Sequence, residues 1–244
     1  MSSRILVTGA TGGVGTTLCR YLADKYQVIA VGRNAKYLAD LKGMYSSITT
    51  YCCDLAKPEE VSQLVSALQR DHEYIPYVVN NAGVNIPRSL AEISRDELES
   101  SLAINAIAPY QIMQGLLTAM RRHGYGRIVN ITSGAPMNCF SGFGAYSASK
   151  AALNALTVTA AREHEDYDIK INLMSPGPVR SNMAPSAPME PEVCLPTFDY
   201  LLSLDRNGPT GRFFWLGHEL PLFPDLRGVD WLRGLAPETY RIID

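Results

Sequence analysis

For its first 176 residues the chain alternates short apolar, β-branched runs with longer stretches of helical length and helical apolar spacing. Few folds accept that rhythm. Strands are expected over 5–7, 28–31, 48–52, 75–79, 128–131 and 169–174. Helices are expected over 16–25, 34–42, 59–70, 96–122 and 145–164. Pro58 suits the first helical position ahead of Glu59 and Glu60, and Ser94 suits an N-cap before Asp96 and Glu97. Strands that alternate with helices close through right-handed crossovers, so the expectation is an α/β, doubly wound parallel sheet of about seven strands flanked by helices. There is no repeat and no linker, so residues 1–244 are expected to form one domain.

The pattern changes after Pro176. Pro176, Pro178, Pro185, Pro188, Pro191 and Pro196 crowd one stretch, which allows at most a short helix near Pro191. A long loop inside a domain is more often functional than accidental. This one leaves the C-terminal end of the sixth strand, where ligands bind in open α/β sheets, so residues 182–203 are expected to be a substrate lid. A last strand over 212–216 and a tail over 217–244, with Pro221, Pro224, Trp231 and Pro237, complete the chain.

The first strand runs into Thr8-Gly9-Ala10-Thr11-Gly12-Gly13-Val14-Gly15 and then a helix. Glycines let a backbone turn tightly against a pyrophosphate, and a helix N-terminus presents free N–H groups and a positive dipole end. The spacing is Gly-x-x-x-Gly-x-Gly, within a Rossmann-type setting. A carboxylate that grips a ribose diol would follow the second strand, but the sequence there is Val31-Gly32-Arg33-Asn34. A guanidinium suits a 2′-phosphate, which favours NADP(H), unless Arg33 is only a solvated loop cation.

Tyr146 and Lys150 stand four residues apart on one helix face. A phenol has a pKa of ~10, and a nearby ammonium, with the nicotinamide cation of an oxidised complex, is expected to draw it down towards neutral pH. Spacing alone does not single the pair out, because Tyr21 and Lys25 share it. That second pair closes the first helix, away from the expected ligand, and is expected to be surface. Tyr146 instead follows a strand that ends in Thr132-Ser133, and a serine there can hydrogen-bond a substrate oxygen while the tyrosine exchanges its proton. A plain turn serine is the other reading of Ser133.

With these motifs the chain resembles the single-domain branch of the short-chain dehydrogenase/reductase family, from residue 4 to residue 216. Gly9, Thr11, Gly12, Gly13, Val14 and Gly15 match its cofactor turn. Asp54-Leu55 resembles its adenine-contacting segment, and Asn81, Ala82 and Gly83 match the block supporting sheet and cofactor. The resemblance implies that Asn105 is the helix asparagine that holds a water in a proton relay. Ser133, Tyr146 and Lys150 complete that catalytic tetrad, with Lys150 also binding the nicotinamide ribose. Pro176, Gly177, Val179 and Ser181 resemble the segment at the nicotinamide amide, with serine where threonine is usual. It further implies a homo-oligomer, dimer or tetramer, built through the long helices. Gly12 departs from the basic or hydroxyl residue of many NADP-dependent members, and the tail is longer than usual.

The implied activity is an NADP(H)-dependent oxidoreductase interconverting a carbonyl and an alcohol, with a small-molecule substrate. Met137, Phe140, Phe143, Pro178 and Met183, with Met189, are expected to line an apolar substrate site, unless they are core residues under the loop. Alternatives are a non-catalytic NADP(H)-sensing or scaffold protein and an epimerase or dehydratase. The net charge of −2, without a basic run, argues against nucleic acid or an anionic membrane as partner. No apolar run has the roughly 18 residues of a membrane span. Cys19, Cys52, Cys53, Cys139 and Cys194 are odd in number without Cys-x-x-Cys spacing, and His72, His123, His164 and His218 are scattered. Neither a disulfide framework nor a metal site is expected, and a reducing, cytoplasmic location is. No Gly-x-Ser-x-Gly elbow is present.

Overall fold

Strand β1 (Arg4–Thr8) is apolar through its middle because both of its faces are covered, as parallel strands require. A computed structural model describes residues 3–223, with 233 and 237, and places β1 between β2 (Gln27–Gly32) and β4 (Tyr77–Asn80). With β3 (Ile48–Cys52), β5 (Tyr125–Ile131), β6 (Asp168–Ser175), β7 (Phe213–Trp215) and β8 (His218–Leu220), the sheet runs β3-β2-β1-β4-β5-β6-β7-β8. Every pairing is parallel except β7 with β8. Two apolar layers cover its faces. The result is a single-domain, doubly wound Rossmann-type fold.

The sheet has eight strands rather than the expected seven. The extra strand falls at the start of the predicted tail, where Leu216 (φ 46°) and Gly217 (φ 80°) make a two-residue left-handed turn. A leucine gives no turn signal, so the sequence does not announce this hairpin. Residues 224–232, 234–236 and 238–244 of the tail lie outside the described residues.

The helices are α1 (Gly13–Leu22), α2 (Ala35–Met44), α3 (Pro58–Asp71), α4 (Arg95–Leu102), α5 (Ala108–His123), α6 (Ala135–Asn138), α7 (Gly144–Glu163) and α8 (Leu195–Leu202). Ser94 caps α4 in a reciprocal box, accepting from the Glu97 N–H at 3.2 Å while its own N–H donates to Glu97 at 2.9 Å. The single helix predicted over 96–122 is interrupted by a π turn, Ala103–Ile107. Pro109 has no N–H to direct at the Asn105 carbonyl, so the regular ladder fails there.

Residues 182–203 do not behave as one lid. Cys194, Phe198 and Leu201 are fully or almost fully buried, so α8 belongs to the core. Only the stretch before Pro191 is irregular, and an Arg180–Glu190 ion pair and an Arg180 N–H to Met189 carbonyl bond (2.7 Å) clasp its base. Tyr21 also departs from the surface role expected of it. It is half-buried, its hydroxyl donates to Asp199 on α8, and Lys25 donates to that hydroxyl at 2.7 Å. The second Tyr-x-x-x-Lys pair is a clamp between two helices.

Arg127 is the largest fully buried side chain. Its guanidinium donates to the Leu204 carbonyl (2.8 and 2.6 Å), the Gly126 carbonyl (2.8 Å), the Asp168 carbonyl (2.8 Å) and the Asp168 carboxylate (2.7 Å). It also lies 4.1 Å over the Tyr125 ring. One cation thereby ties β5 and β6 to the segment that leaves α8.

Among the described residues no helix is long and apolar enough to cross a membrane, and no cluster of metal-ligating side chains occurs. All five cysteines are free thiols.

Candidate active site

The C-terminal ends of the parallel strands open on one cleft of about 480 Å³. Gly9, Thr11, Gly12, Gly13, Val14 and Gly15 form its floor under β1. Gly9 has φ 65°, and a Cβ there would meet Ala82 Cα at 2.8 Å. A Cβ on Gly15 would stand 2.1 Å from the Gly9 carbonyl oxygen. The turn therefore closes only with glycine, which brings bare backbone to the cleft. Gly12 caps α1 without a side-chain bond, so the first N–H groups of the helix have no helical acceptor. That is the donor set a pyrophosphate needs, and the residues fit such a group. Asn81 braces the turn by donating to the Thr8 (3.0 Å) and Gly9 (3.3 Å) carbonyls, while the Asn81 and Ala82 N–H groups donate to the Thr8 hydroxyl.

At the β2–β3 end the cleft is walled by Arg33, Asn34, Asp54 and Leu55, as the sequence predicts, and by Tyr37 and Cys53, which it does not single out. Arg33 is exposed and forms no ion pair among the described residues. The Asn34 side chain is engaged, because it caps α2 by accepting from the Tyr37 N–H at 3.1 Å. The position of Tyr37 was legible only through that cap, which places the first turn of α2 at the cleft mouth.

At the β5–β6 end stand Ser133, Tyr146, Lys150, Ala82, Gly83, Pro176, Gly177, Pro178, Val179 and Ser181. Lys150 is fully buried, and its ammonium donates to the Ile131 carbonyl at 2.7 Å. Burial pushes Lys150 down to about 7. Burial also pushes the Tyr146 phenol up from its usual value, with a hydrogen bond to Ser133 pulling the other way. Without a cofactor, Lys150 does not lower the phenol. The ammonium lies 5.9 Å from the Tyr146 ring centre and points at the strand. Ser133 does also serve as a turn residue, accepting from the Ala135 N–H at 3.1 Å.

Asn105 does not face the cleft. It sits in the π turn, accepting from the Val84 N–H (2.8 Å) and donating to the Val84 carbonyl (2.8 Å) and the Ser149 hydroxyl (2.9 Å). Its side chain therefore fixes the strand-end loop against α7. Gly83 leaves the space between, since a Cβ there would lie 3.2 Å from Asn105 and 3.4 Å from Lys150 Nζ.

Of the predicted substrate residues, Pro178 and Met183 wall the cleft, joined by Asn182. Met137, Phe140 and Phe143 do not. The short α6 ends at Cys139 in a left-handed conformation (φ 48°), which turns the 137–140 stretch outward and leaves Met137 and Phe140 exposed. Phe143 is edge-on to both Tyr146 (6.3 Å) and Phe140 (6.2 Å), so these rings form an apolar rim outside the cleft. Met189 packs against the core.

A model of the short chain dehydrogenase family matches residues 3–191. Human "Dehydrogenase/reductase SDR family member 4" is 29% identical over 240 residues, covering 88% of this chain and 86% of that protein. A metagenomic short-chain oxidoreductase solved in complex with NADP superposes with a TM-score of 0.78 at 26% identity, covering 88% of this chain and 97% of the other. A 4-hydroxyisoleucine dehydrogenase solved with NADH superposes with a TM-score of 0.79 at 25% identity, covering 88% and 96%.

Proposed function

Because the chain belongs to the short-chain dehydrogenase family, we propose that it is an NADP(H)-dependent ketoreductase acting on a small apolar carbonyl compound. The observation that carries this reading is the joining of two things in one cleft: a glycine cradle at one place, and half-buried Tyr146 and Ser133 beside a buried Lys150 at another. A bound nicotinamide cofactor supplies the hydride. Ser133 hydrogen-bonds the substrate oxygen, and Tyr146 gives that oxygen its proton as the carbonyl becomes an alcohol. Lys150, with its proton loosely held near neutral pH, lines the same cleft near the phenol and would hold the ribose hydroxyls of a bound cofactor. Asn105 holds α7 and Val84 in register. Phe143, Phe140, Met137 and Met183 leave the substrate an apolar approach, which favours hydrophobic ketones over sugars. Exposed Ile107, at the end of the π turn, and Tyr110 on α5 support a homo-oligomer, dimer or tetramer, packed through α4, α5 and α7. The unpaired thiols support a reducing, cytoplasmic location. The test is a panel of carbonyl compounds mixed with NADPH, followed by loss of reduced-nicotinamide absorbance. Tight NADPH binding with no turnover across the panel would overturn the catalytic reading.

Arg33 is proposed to set the choice of cofactor. A charge-assisted hydrogen bond is worth about 1.5–3 kcal/mol, or roughly 10- to 150-fold in affinity. Gly12 offers no second contact and Asn34 is engaged as a cap, so the lower half of that range is expected. Arg33→Ala should cut kcat/KM for NADPH by roughly 10- to 50-fold and leave NADH nearly unchanged. The preference should shrink as salt screens the exposed pair. If wild type prefers NADH, or the variant loses both cofactors equally, another residue discriminates.

A smaller lid than the sequence suggests is proposed, comprising residues 182–190 closing over the cleft. Limited proteolysis should cut this stretch readily in the free protein and slowly with NADPH and a carbonyl ligand present. Residues 191–203 should resist in both, because α8 is core. Ligand-independent cutting at 182–190 would mark a fixed loop.

A further inference from the structure

Two residues with positive φ meet at the β5–β6 end of the cleft. Gly177 (φ 82°) lines it, and Leu216 (φ 46°) sits in the β7–β8 turn. The Leu216 side chain lies directly over the glycine: a Cβ built on Gly177 would be 3.3 and 3.4 Å from its two methyl carbons. Left-handed backbone is disfavoured for any residue with a Cβ, and leucine lacks the local hydrogen bonding that lets Asn or Asp tolerate it. A hairpin that only needed to turn would carry glycine or asparagine at this position. The strain is kept where the side chain does something else, and the something else is contact with the Pro176–Gly177 segment.

The turn is itself anchored. The Gly217 N–H donates to the Thr197 hydroxyl at 3.0 Å, and Thr197 is buried on α8. A second group grips the same segment from the residue that leads into α8. The Cys194 thiol, fully buried, donates to the Pro176 carbonyl at 3.2 Å. Burial pushes this thiol up to about 12, so it remains a donor. Pro176 and Gly177 are thus held by two side chains that do not themselves line the cleft.

We propose that Leu216, assisted by the Cys194 thiol, is a positioning residue that sets the Pro176–Gly177 segment against the nicotinamide half of the cofactor. The proposal rests on the reading that the chain binds a nicotinamide dinucleotide with its ring at the β5–β6 end. It predicts that losing the prop weakens the nicotinamide half alone. The adenosine half, at Arg33 and Asp54, lies at the other end of the strand order and is untouched.

The test compares NADPH with 2′,5′-ADP, which has the adenosine and phosphates but no nicotinamide. Leu216→Gly and Leu216→Asn both accept a left-handed backbone, so neither should lower the melting temperature. Both should raise the Kd for NADPH by about tenfold, and leave that for 2′,5′-ADP within about twofold. Cys194→Ala should act in the same direction, and Cys194→Ser, which keeps a donor, should restore most of the loss. Equal loss of both ligands would make Leu216 a general stabiliser and overturn the proposal. Unchanged NADPH affinity in the Leu216 variants would also overturn it. A wild type that binds NADH instead would sink the cofactor choice alone, and the same comparison then runs with NADH against ADP. A wild type that binds neither dinucleotide would remove the functional reading and this inference together.

Discussion

Tyr146→Phe should remove carbonyl reduction by about 10²- to 10⁴-fold while leaving NADPH affinity close to that of the wild type. The substitution deletes one hydroxyl and keeps the ring, so the edge-on contact with Phe143 survives and the fold has no reason to change. What disappears is the proton donor beside Ser133. Because burial raises the phenol above its usual value of ~10, the donor stays protonated through neutral pH. Reduction by the wild type should therefore decline only on the alkaline side, as that proton is lost. The control is Tyr21→Phe, which removes the α1–α8 clamp at a partly exposed site and should lower stability slightly with little change in turnover. The measurements are kcat/KM for a carbonyl compound found in the panel and the NADPH Kd. Near-normal turnover by the Tyr146 variant would move the proton donor elsewhere.

Arg127→Met should be among the most destabilising single changes available to this chain. Methionine fills much of the volume but leaves the Asp168 carboxylate and three backbone carbonyls, of Gly126, Asp168 and Leu204, without their donor. Breaking a buried pair by removing one partner costs about 3–5 kcal/mol. For a domain of this size each kcal/mol shifts the melting temperature by about 2–4 °C, so a fall of roughly 6–20 °C is expected. Thermal denaturation of wild type, Arg127→Met and Arg127→Lys checks it, with lysine intermediate because it keeps the charge and loses the planar fork. A methionine variant that melts with wild type would show that these carbonyls find other donors.

The parallel core and the place of the cleft were legible because they follow from local, repeated signals. Strands β1, β2 and β4 are largely apolar and β-branched, and β3, β5 and β6 are β-rich runs of strand length, while the glycine turn marks the one junction where a strand must meet a helix without side chains. Ser94 and Glu97 announced the start of α4 through reciprocal capping. What the sequence hid depends on partners distant along the chain. Tyr21 reads as a surface residue until Asp199, nearly two hundred positions later, folds onto it. Arg127 reads as a charged residue in a strand, and its burial makes sense only when Leu204 and Asp168 offer acceptors. Met137, Phe140 and Phe143 read as substrate lining because they are apolar. The backbone at Cys139 turns Met137 and Phe140 outward, and no residue type signals that. The direction of the Lys150 amine was hidden for a related reason: helical spacing places two residues on one face but does not say where a flexible amine points.

The β7–β8 hairpin bears on how this chain survives at high concentration. A sheet that stopped at β7 would offer Phe213-Phe214-Trp215 as an open aromatic border, with unpaired backbone groups ready to recruit a stranger's strand. β8 occupies that border and replaces it with three residues, of which His218 and Glu219 are exposed. The new margin is short and polar, a poor template for fibre-like stacking. Cutting the chain back to Gly217 would remove that strand and leave β7 as an aromatic edge, a change expected to favour strand-to-strand association.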